Sequence, residues 1–153
     1  MRKGKIRMTE KALWNEFITK HKINNTDYTA WTFGAEADLL AHLVATGEKT
    51  ATSSAYQLYE TENEPLPKAG DYSVILDSQN NAVCVIQIQR VYVTAFHDVS
   101  DEHAYKEGEG DKSLTYWRKV HKKFFTAYLE EAHLKFNDDM KVVCEEFKVV
   151  YLK

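Results

Sequence analysis

The chain has only two cysteines in 153 residues, Cys84 and Cys144. Neither has a partner at metal-motif spacing, so a disulfide framework and a zinc knuckle are both excluded. Each sits in an apolar, strand-like context and reads as a buried thiol. Proline is as scarce: Pro65 and Pro67 share one polar stretch, and no repeat, low-complexity tract or linker appears elsewhere. No apolar run approaches the ~20 residues that a membrane span needs. The basic start, Met1 to Arg7, is followed by no apolar stretch, so it reads as a solvated arm rather than a secretory signal. With no other address, the chain is expected in the cytoplasm. Charge of one sign is also lacking: 20 Lys and Arg against 23 Asp and Glu leave a net −3. A protein that grips long nucleic acid shows a basic excess, so a small ligand or a short RNA element is the better expectation. The phosphate-cradling GxxxxGK[ST], the dinucleotide GxGxxG, the GxSxG elbow, HExxH and the EF-hand loop are all missing. No metal and no cofactor are expected.

What is present is an ordinary globular balance, 44% hydrophobic and 28% charged, in a length that suits one core-forming unit. Thr9 can cap a helix running to His21, with Leu13, Trp14, Phe17, Ile18 and His21 on one face. Asn24 to Asp27 breaks that pattern. A second helix is expected over Glu36 to Thr46, with Gly47 as the left-handed residue that ends it. Tyr72 to Leu76 reads as a strand, Asp77 to Asn81 as a hairpin turn, and Ala82 to Phe96 as a long, bent strand. Val99 to Asp111 reads as a short acidic loop, with Asp111 capping the helix that follows. That helix carries Leu114, Trp117, His121, Phe124, Phe125 and Tyr128 at helical spacing, most simply as core. Met140 to Leu152 is a closing strand, on whose apolar face Glu145 also falls. Strands do not alternate one-for-one with helices, which disfavours a doubly wound parallel sheet. An α+β fold is expected: a small, mostly antiparallel barrel with flanking helices. A helical extension over residues 1–29 precedes the main domain at 30–153.

Two stretches could carry chemistry. In Gly47-Glu48-Lys49-Thr50-Ala51-Thr52-Ser53-Ser54 a lysine and four hydroxyls follow a helix end at once. A buried lysine can act as a base, and a hydroxyl beside it is a minimal nucleophile pair. Strand alternation puts Lys49, Ala51 and Ser53 on one face and Thr50, Thr52 and Ser54 on the other, so Lys49 meets Thr52 only across a turn or bulge. The plain alternative is a solvated lysine on a hydroxyl-rich edge. The second stretch, Glu102 to Asp111, is dense in carboxylates, among them Glu107 and Glu109. These could serve as acid or base, or accept a ribose or base-edge hydrogen bond. The alternative is an acidic loop.

With Trp31-Thr32-Phe33-Gly34, Glu64 to Gly70, Val99 to Ala104 and Glu107 to Arg118, these stretches resemble the ASCH domain family, in a bacterial branch of about this length. The resemblance covers Trp31 to the C-terminus. It implies a PUA-like β-barrel, a fold tied to RNA binding, with a cleft partly lined by the Gly-x-Lys-Thr segment. A small bacterial relative removes the acetyl group from N(4)-acetylcytidine with a lysine, a threonine and a glutamate. The motif places these on Lys49, Thr52 and Glu107, with Glu109 as a competitor for the last. In the role this implies, Lys49 accepts the Thr52 proton, Thr52 attacks the acyl carbon, and Glu107 protonates the departing amine or holds the cytosine edge. The alternatives are activation of water by Glu107, a non-catalytic RNA-binding regulatory module, and a ribonuclease.

Residues expected to bind the ligand, an RNA or a nucleoside or nucleotide, are Trp31, Phe33, Thr50, Ser53, Ser54, Glu109, Trp117 and Arg118. Trp31, Phe33, Tyr56 and Trp117 could stack on a base. Arg118 could meet a phosphate, or pair with a carboxylate on its own helix. For each aromatic taken singly, core packing is the competing reading.

Overall fold

A computed structural model describes residues 7–24 and 27–153. The basic arm foreseen at Met1 to Arg7 lies, except for its last residue, outside the described residues, as do the middle two residues of the Asn24 to Asp27 break. Helix α1 (Glu10–His21) starts where expected, because the Thr9 hydroxyl accepts the Ala12 N–H. It ends at Lys22, held in the left-handed conformation. Strand β1 (Thr29–Thr32) comes next, then helix α2 (Ala37–Thr46), closed by Gly47 at φ +84°. Strand β2 (Ala51–Ala55) leads directly into a short helix, α3 (Tyr56–Thr61). Strands β3 (Tyr72–Leu76) and β4 (Ala82–Ala95) form the expected hairpin. Its turn is held by the Asp77 carboxylate, which accepts the N–H groups of Gln79 and Asn81 at 2.9 Å each.

The acidic segment departs from expectation. It is a helix, α4 (Asp101–Glu107), capped by the Ser100 hydroxyl and ended by Gly108 at φ +72°. The next helix, α5 (Leu114–Glu131), is capped by Ser113 rather than Asp111. Asp111 instead accepts the Ser113 N–H. Strand β5 (Lys141–Leu152) is the last element. Hydrogen-bonded neighbours run β1-β3-β4-β5-β2. The β1–β3 pair is parallel, while β3–β4 and β2–β5 are antiparallel, so the sheet is mixed. The one register shift in β3–β4 falls between Ile75 and Leu76.

The chain forms two units, each assembled from separated stretches. The first comprises residues 1–47, 70–87 and 148–153. Its core joins Leu13, Trp14 and Phe17 of α1 to Val74, Ala82 and Val85, with Val150 and Tyr151 packed alongside. Trp14 stacks on Tyr28 at 4.6 Å and meets Tyr72 edge-on at 5.4 Å. Burial of such side chains stabilises by about 1.5–3 kcal/mol each. The second unit comprises residues 48–69 and 88–147. Its core gathers Phe96, Val99, Ala104, Trp117, Phe125, Leu129, Met140, Val142 and Cys144. All of the polar chemistry described below lies within this second unit. No helix among the described residues is long and apolar enough to cross a membrane.

Candidate functional site: a buried carboxylate hub

Glu107 is the last residue of α4 and only 1% exposed. Five donors converge on its carboxylate. Lys49 Nζ stands 3.2 Å from Oε1, and His121 Nε2 faces the same oxygen at 3.4 Å. The Ser53 hydroxyl donates to Oε2 at 2.5 Å, Trp117 Nε1–H at 2.5 Å, and His103 Nε2 stands 2.9 Å away. A carboxylate has about four lone-pair positions, so this one is saturated by protein donors. Burial alone would push the Glu107 carboxyl up. The charges of Lys49 and His121 and the hydrogen bond from His103 outweigh burial and hold it well below the ordinary range. Glu107 is therefore ionised at neutral pH: an acceptor and counter-ion, not a resident proton donor. His121 responds in the opposite sense. Burial would lower its pKa, but Glu107 prevails and raises it above the ordinary 6.5.

Local sequence explains the convergence. His103 and Glu107 are four residues apart on α4, and Trp117 and His121 four apart on α5, so each pair shares a helix face. Trp117 and His121 stack at 4.2 Å with planes 15° apart. The His121 Nδ1–H donates to the Trp117 carbonyl at 2.9 Å, which aims Nε2 at Glu107. For His103, Nδ1 is buried without a hydrogen-bond partner among the described residues. Carrying the proton on Nε2, where Ser53 (2.7 Å) and Glu107 both stand, avoids burying an unpaired N–H. In that tautomer His103 donates and cannot take the Ser53 proton.

Lys49 is 1% exposed although it just precedes β2. Its Nζ also reaches the Glu107 carbonyl at 3.4 Å and Glu109 Oε2 at 2.7 Å. A lysine ion-paired to two carboxylates is arranged to hold a cation rather than to accept a proton. Backbone contacts fix its position. The Thr50 N–H donates to the Lys106 carbonyl at 2.7 Å, and the Thr50 carbonyl accepts from Phe147 N–H at 2.9 Å. Gly108 lies so close to this segment that a Cβ on it would sit 2.3 Å from the Glu48 carbonyl oxygen. Only glycine fits there.

The sequence-derived residues are distributed as follows. Lys49, Ser53, Glu107, Glu109 and Trp117 come together. Thr52 does not join them through β2, which pairs with β5 without a register shift. Thr52 lies opposite Glu145, on the face that also carries Ser54, and Ser54 bonds the Tyr59 hydroxyl at 2.7 Å. The Thr50 hydroxyl caps the end of α4 at the Lys106 carbonyl. Arg118 is exposed and donates to the His97 carbonyl at 2.8 Å. Trp117 is buried against His121 and Phe96. Trp31 and Phe33 belong to the first unit, where they meet edge to face at 4.8 Å. Tyr56 lies beneath the Lys141 ammonium at 5.2 Å and lines an open groove of about 420 Å³ with Tyr59, Glu60, Asn63, Glu64, Pro65 and Leu66. The groove includes none of the hub residues. His103 and His121 were not singled out as ligands of Glu107. Their i, i+4 spacing to Glu107 and Trp117 was the available signal. Among the described residues, no group of three or more His, Cys, Asp or Glu is arranged to hold a metal.

A mixed sheet flanked by helices, with a buried lysine–glutamate hub beside the strand that follows a Gly-x-Lys-Thr turn, defines an α+β protein of PUA-like fold. The chain belongs to the ASCH domain family, whose model matches residues 29–151. It is similar to the crystal structure of an ASCH domain from Lactobacillus crispatus, at 32% identity and a TM-score of 0.87, over 94% of this chain and 96% of that one. It is also similar to protein EF3133 from Enterococcus faecalis, at 36% identity and a TM-score of 0.87, over 93% and 88% of the two chains. No curated protein matches it. The family is associated with RNA binding.

Proposed function

We propose that the second unit binds a nucleoside or an RNA end and hydrolyses the acyl amide of a modified pyrimidine such as N(4)-acetylcytidine. The observation that carries this reading is the contact between Lys49 and Glu107, 58 residues apart, both buried, with a Ser53 hydroxyl 2.5 Å from the carboxylate. Hydrolysis breaks the C–N bond. The hydroxyl of water goes to the acyl carbon, and its proton goes to the released base amine. In this reading Lys49 polarises the acyl carbonyl as a cation, a role that its two carboxylate partners favour over that of base. Glu107 fixes Lys49 and the Ser53 hydroxyl as counter-ion and acceptor. Family membership supports Thr52 as the attacking hydroxyl, and contact geometry supports Ser53, whose proton can pass along its hydrogen bond to the Glu107 carboxylate and on to the departing amine as the C–N bond breaks; water then cleaves the acyl ester and restores the hydroxyl.

Turnover of N(4)-acetylcytidine to cytidine and acetate, followed by chromatography, tests the reading. Lys49→Arg should lose at least a hundredfold in kcat, because a planar guanidinium cannot occupy a point-charge site of this size. Loss in Thr52→Val with retention in Ser53→Ala assigns the attack to Thr52, and the converse assigns it to Ser53. Full turnover in Lys49→Arg sinks the role given to Lys49.

A second reading, an RNA-binding module without chemistry, rests on the saturation of Glu107 by five donors, which leaves it nothing to offer a reacting group. It gains if the protein shifts short RNAs with unchanged affinity in Lys49→Arg and turns over no acylated nucleoside.

A further inference from the structure

Lys49 has two carboxylate partners that differ in how firmly they are held. Glu107 keeps 2% of its side-chain surface exposed and is gripped by Ser53, His103, Trp117 and His121 besides Lys49. Glu109 keeps 13% and makes the shorter contact, 2.7 Å. Moving Glu107 would strip donors from a buried charge. Moving Glu109 exchanges one ammonium for water at the solvent edge of the cluster, the cheaper of the two.

Glu109 lies between two left-handed glycines whose surroundings leave no room for a side chain. Gly108 and Gly110 have φ of +72° and +58°. A Cβ at Gly108 would meet the Glu48 carbonyl oxygen at 2.3 Å, and one at Gly110 would meet the Tyr116 ring at 2.5 Å. With 13% of its side chain already at the surface, Glu109 can leave Lys49 by rotating its own side chain.

We propose that Lys49 Nζ forms the acyl-oxygen subsite of this site, and that Glu109 caps it as a displaceable internal carboxylate. This inference rests on the hydrolase reading above and names the group that Lys49 receives. Glu109 presents to Lys49 the same functional group that amide hydrolysis releases as a carboxylate product. A substrate carbonyl oxygen replaces Glu109 on the ammonium, and the returning Glu109 carboxylate displaces the product. Glu109 thus competes with any free carboxylate at high effective concentration.

The probe is sodium acetate, titrated at constant ionic strength against a chloride control. The readout is the indole N–H resonance of Trp117, which donates to the Glu107 carboxylate. Glu109→Gln should bind acetate at least tenfold more tightly than the unmodified protein, and Glu109→Ala should do likewise. Adding Lys49→Met to Glu109→Gln should abolish the gain. If that double variant does not fold, the two Glu109 variants against the unmodified protein still decide. Equal acetate affinity in all three overturns the inference, as does tight binding that survives loss of Lys49. Tighter acetate binding by Glu109→Gln, with no turnover of N(4)-acetylcytidine by any form, keeps the subsite and sinks the hydrolase reading. Turnover with no change in acetate affinity or product inhibition sinks the subsite alone.

Discussion

Gly108→Ala should be among the more damaging single-methyl changes available to this chain. The added Cβ meets the Glu48 carbonyl oxygen at 2.3 Å, the Glu48 carbonyl carbon at 2.9 Å and Lys49 Cα at 3.2 Å. All three are main-chain atoms, so no side chain can step aside. Restoring even 3.0 Å to the oxygen requires a retreat of 3.0 − 2.3 = 0.7 Å by the segment that carries Lys49. Left-handed backbone on a residue with a Cβ costs about 1–2 kcal/mol, and forced overpacking about 1–3 kcal/mol. The stiffer unfolded chain returns about 0.4–1 kcal/mol. The net is a loss of about 1–5 kcal/mol, centred at about 3 kcal/mol, or roughly 6–12 °C in Tm at that centre for this chain length. Gly47→Ala supplies the control. That glycine is also left-handed, at φ +84°, but nothing lies within 4 Å of its virtual Cβ. It should lose only the backbone component, about 1 kcal/mol and 2–4 °C. Thermal unfolding of both variants, followed by circular dichroism, measures the difference. Equal Tm shifts for the two would refute the claim that Gly108 is required by its contact with Glu48 and Lys49.

Three further outcomes follow, two from the hub and one from the buried thiols. Glu107→Gln removes one of two counter-charges from buried Lys49 and the shared acceptor of four further donors, and should cost about 3–5 kcal/mol in urea unfolding at pH 7, whereas a loss below 1 kcal/mol would deny the hub its structural weight. The pH dependence has two sides. Glu107 is held well below its ordinary 4.5, so its contribution is complete above that value and fades as the pH falls toward the folded-state pKa. His121 is raised above 6.5, so its contribution is complete below that value and is lost as the pH rises through the folded-state pKa. Tm measured against pH should decline on both flanks and flatten in Glu107→Gln; identical profiles would refute the linkage. Finally, burial pushes both Cys84 and Cys144 up to about 12, so a thiol reagent should label neither at pH 8 until denaturant is added, and prompt labelling of the folded chain would contradict the packing.

Periodicity carried the sequence-derived elements that held. The Leu13, Trp14 and Phe17 face of α1, the Gly47 stop of α2, the β3–β4 hairpin and β5 all follow from spacing or turn chemistry. What escaped was short or unpatterned. Strand β1 has four residues, and α3 has six with none buried, so both are too short for a periodic pattern to stand out. Helix α4 reads as an acidic loop in sequence because its carboxylates mask two end signals, Ser100 ahead of it and Gly108 after it. That reading hides the i, i+4 relation of His103 to Glu107. Glu145, which had to be either a bulge or an inward carboxylate, sits in an unbroken ladder opposite Thr52. Alternation along β2 already separated Lys49 and Ser53 from Thr52. The partner that unites the first two, Glu107, could not be deduced from spacing alone.

Each of the two units is discontinuous along the chain, and this bears on synthesis. The α1 face of Leu13, Trp14 and Phe17 packs with Val150 and Tyr151, and the Tyr151 hydroxyl donates to Glu16 across 135 residues at 3.3 Å. This helix is thus completed by a strand that is synthesised more than a hundred residues later. At about 5–20 residues per second its apolar face waits roughly 7–27 s for that cover. Contacts of such separation also slow the search for the native topology. The second unit, whose last residue is Phe147, has its own core available a little earlier. The polar hub can therefore form before the α1 face acquires its final strand.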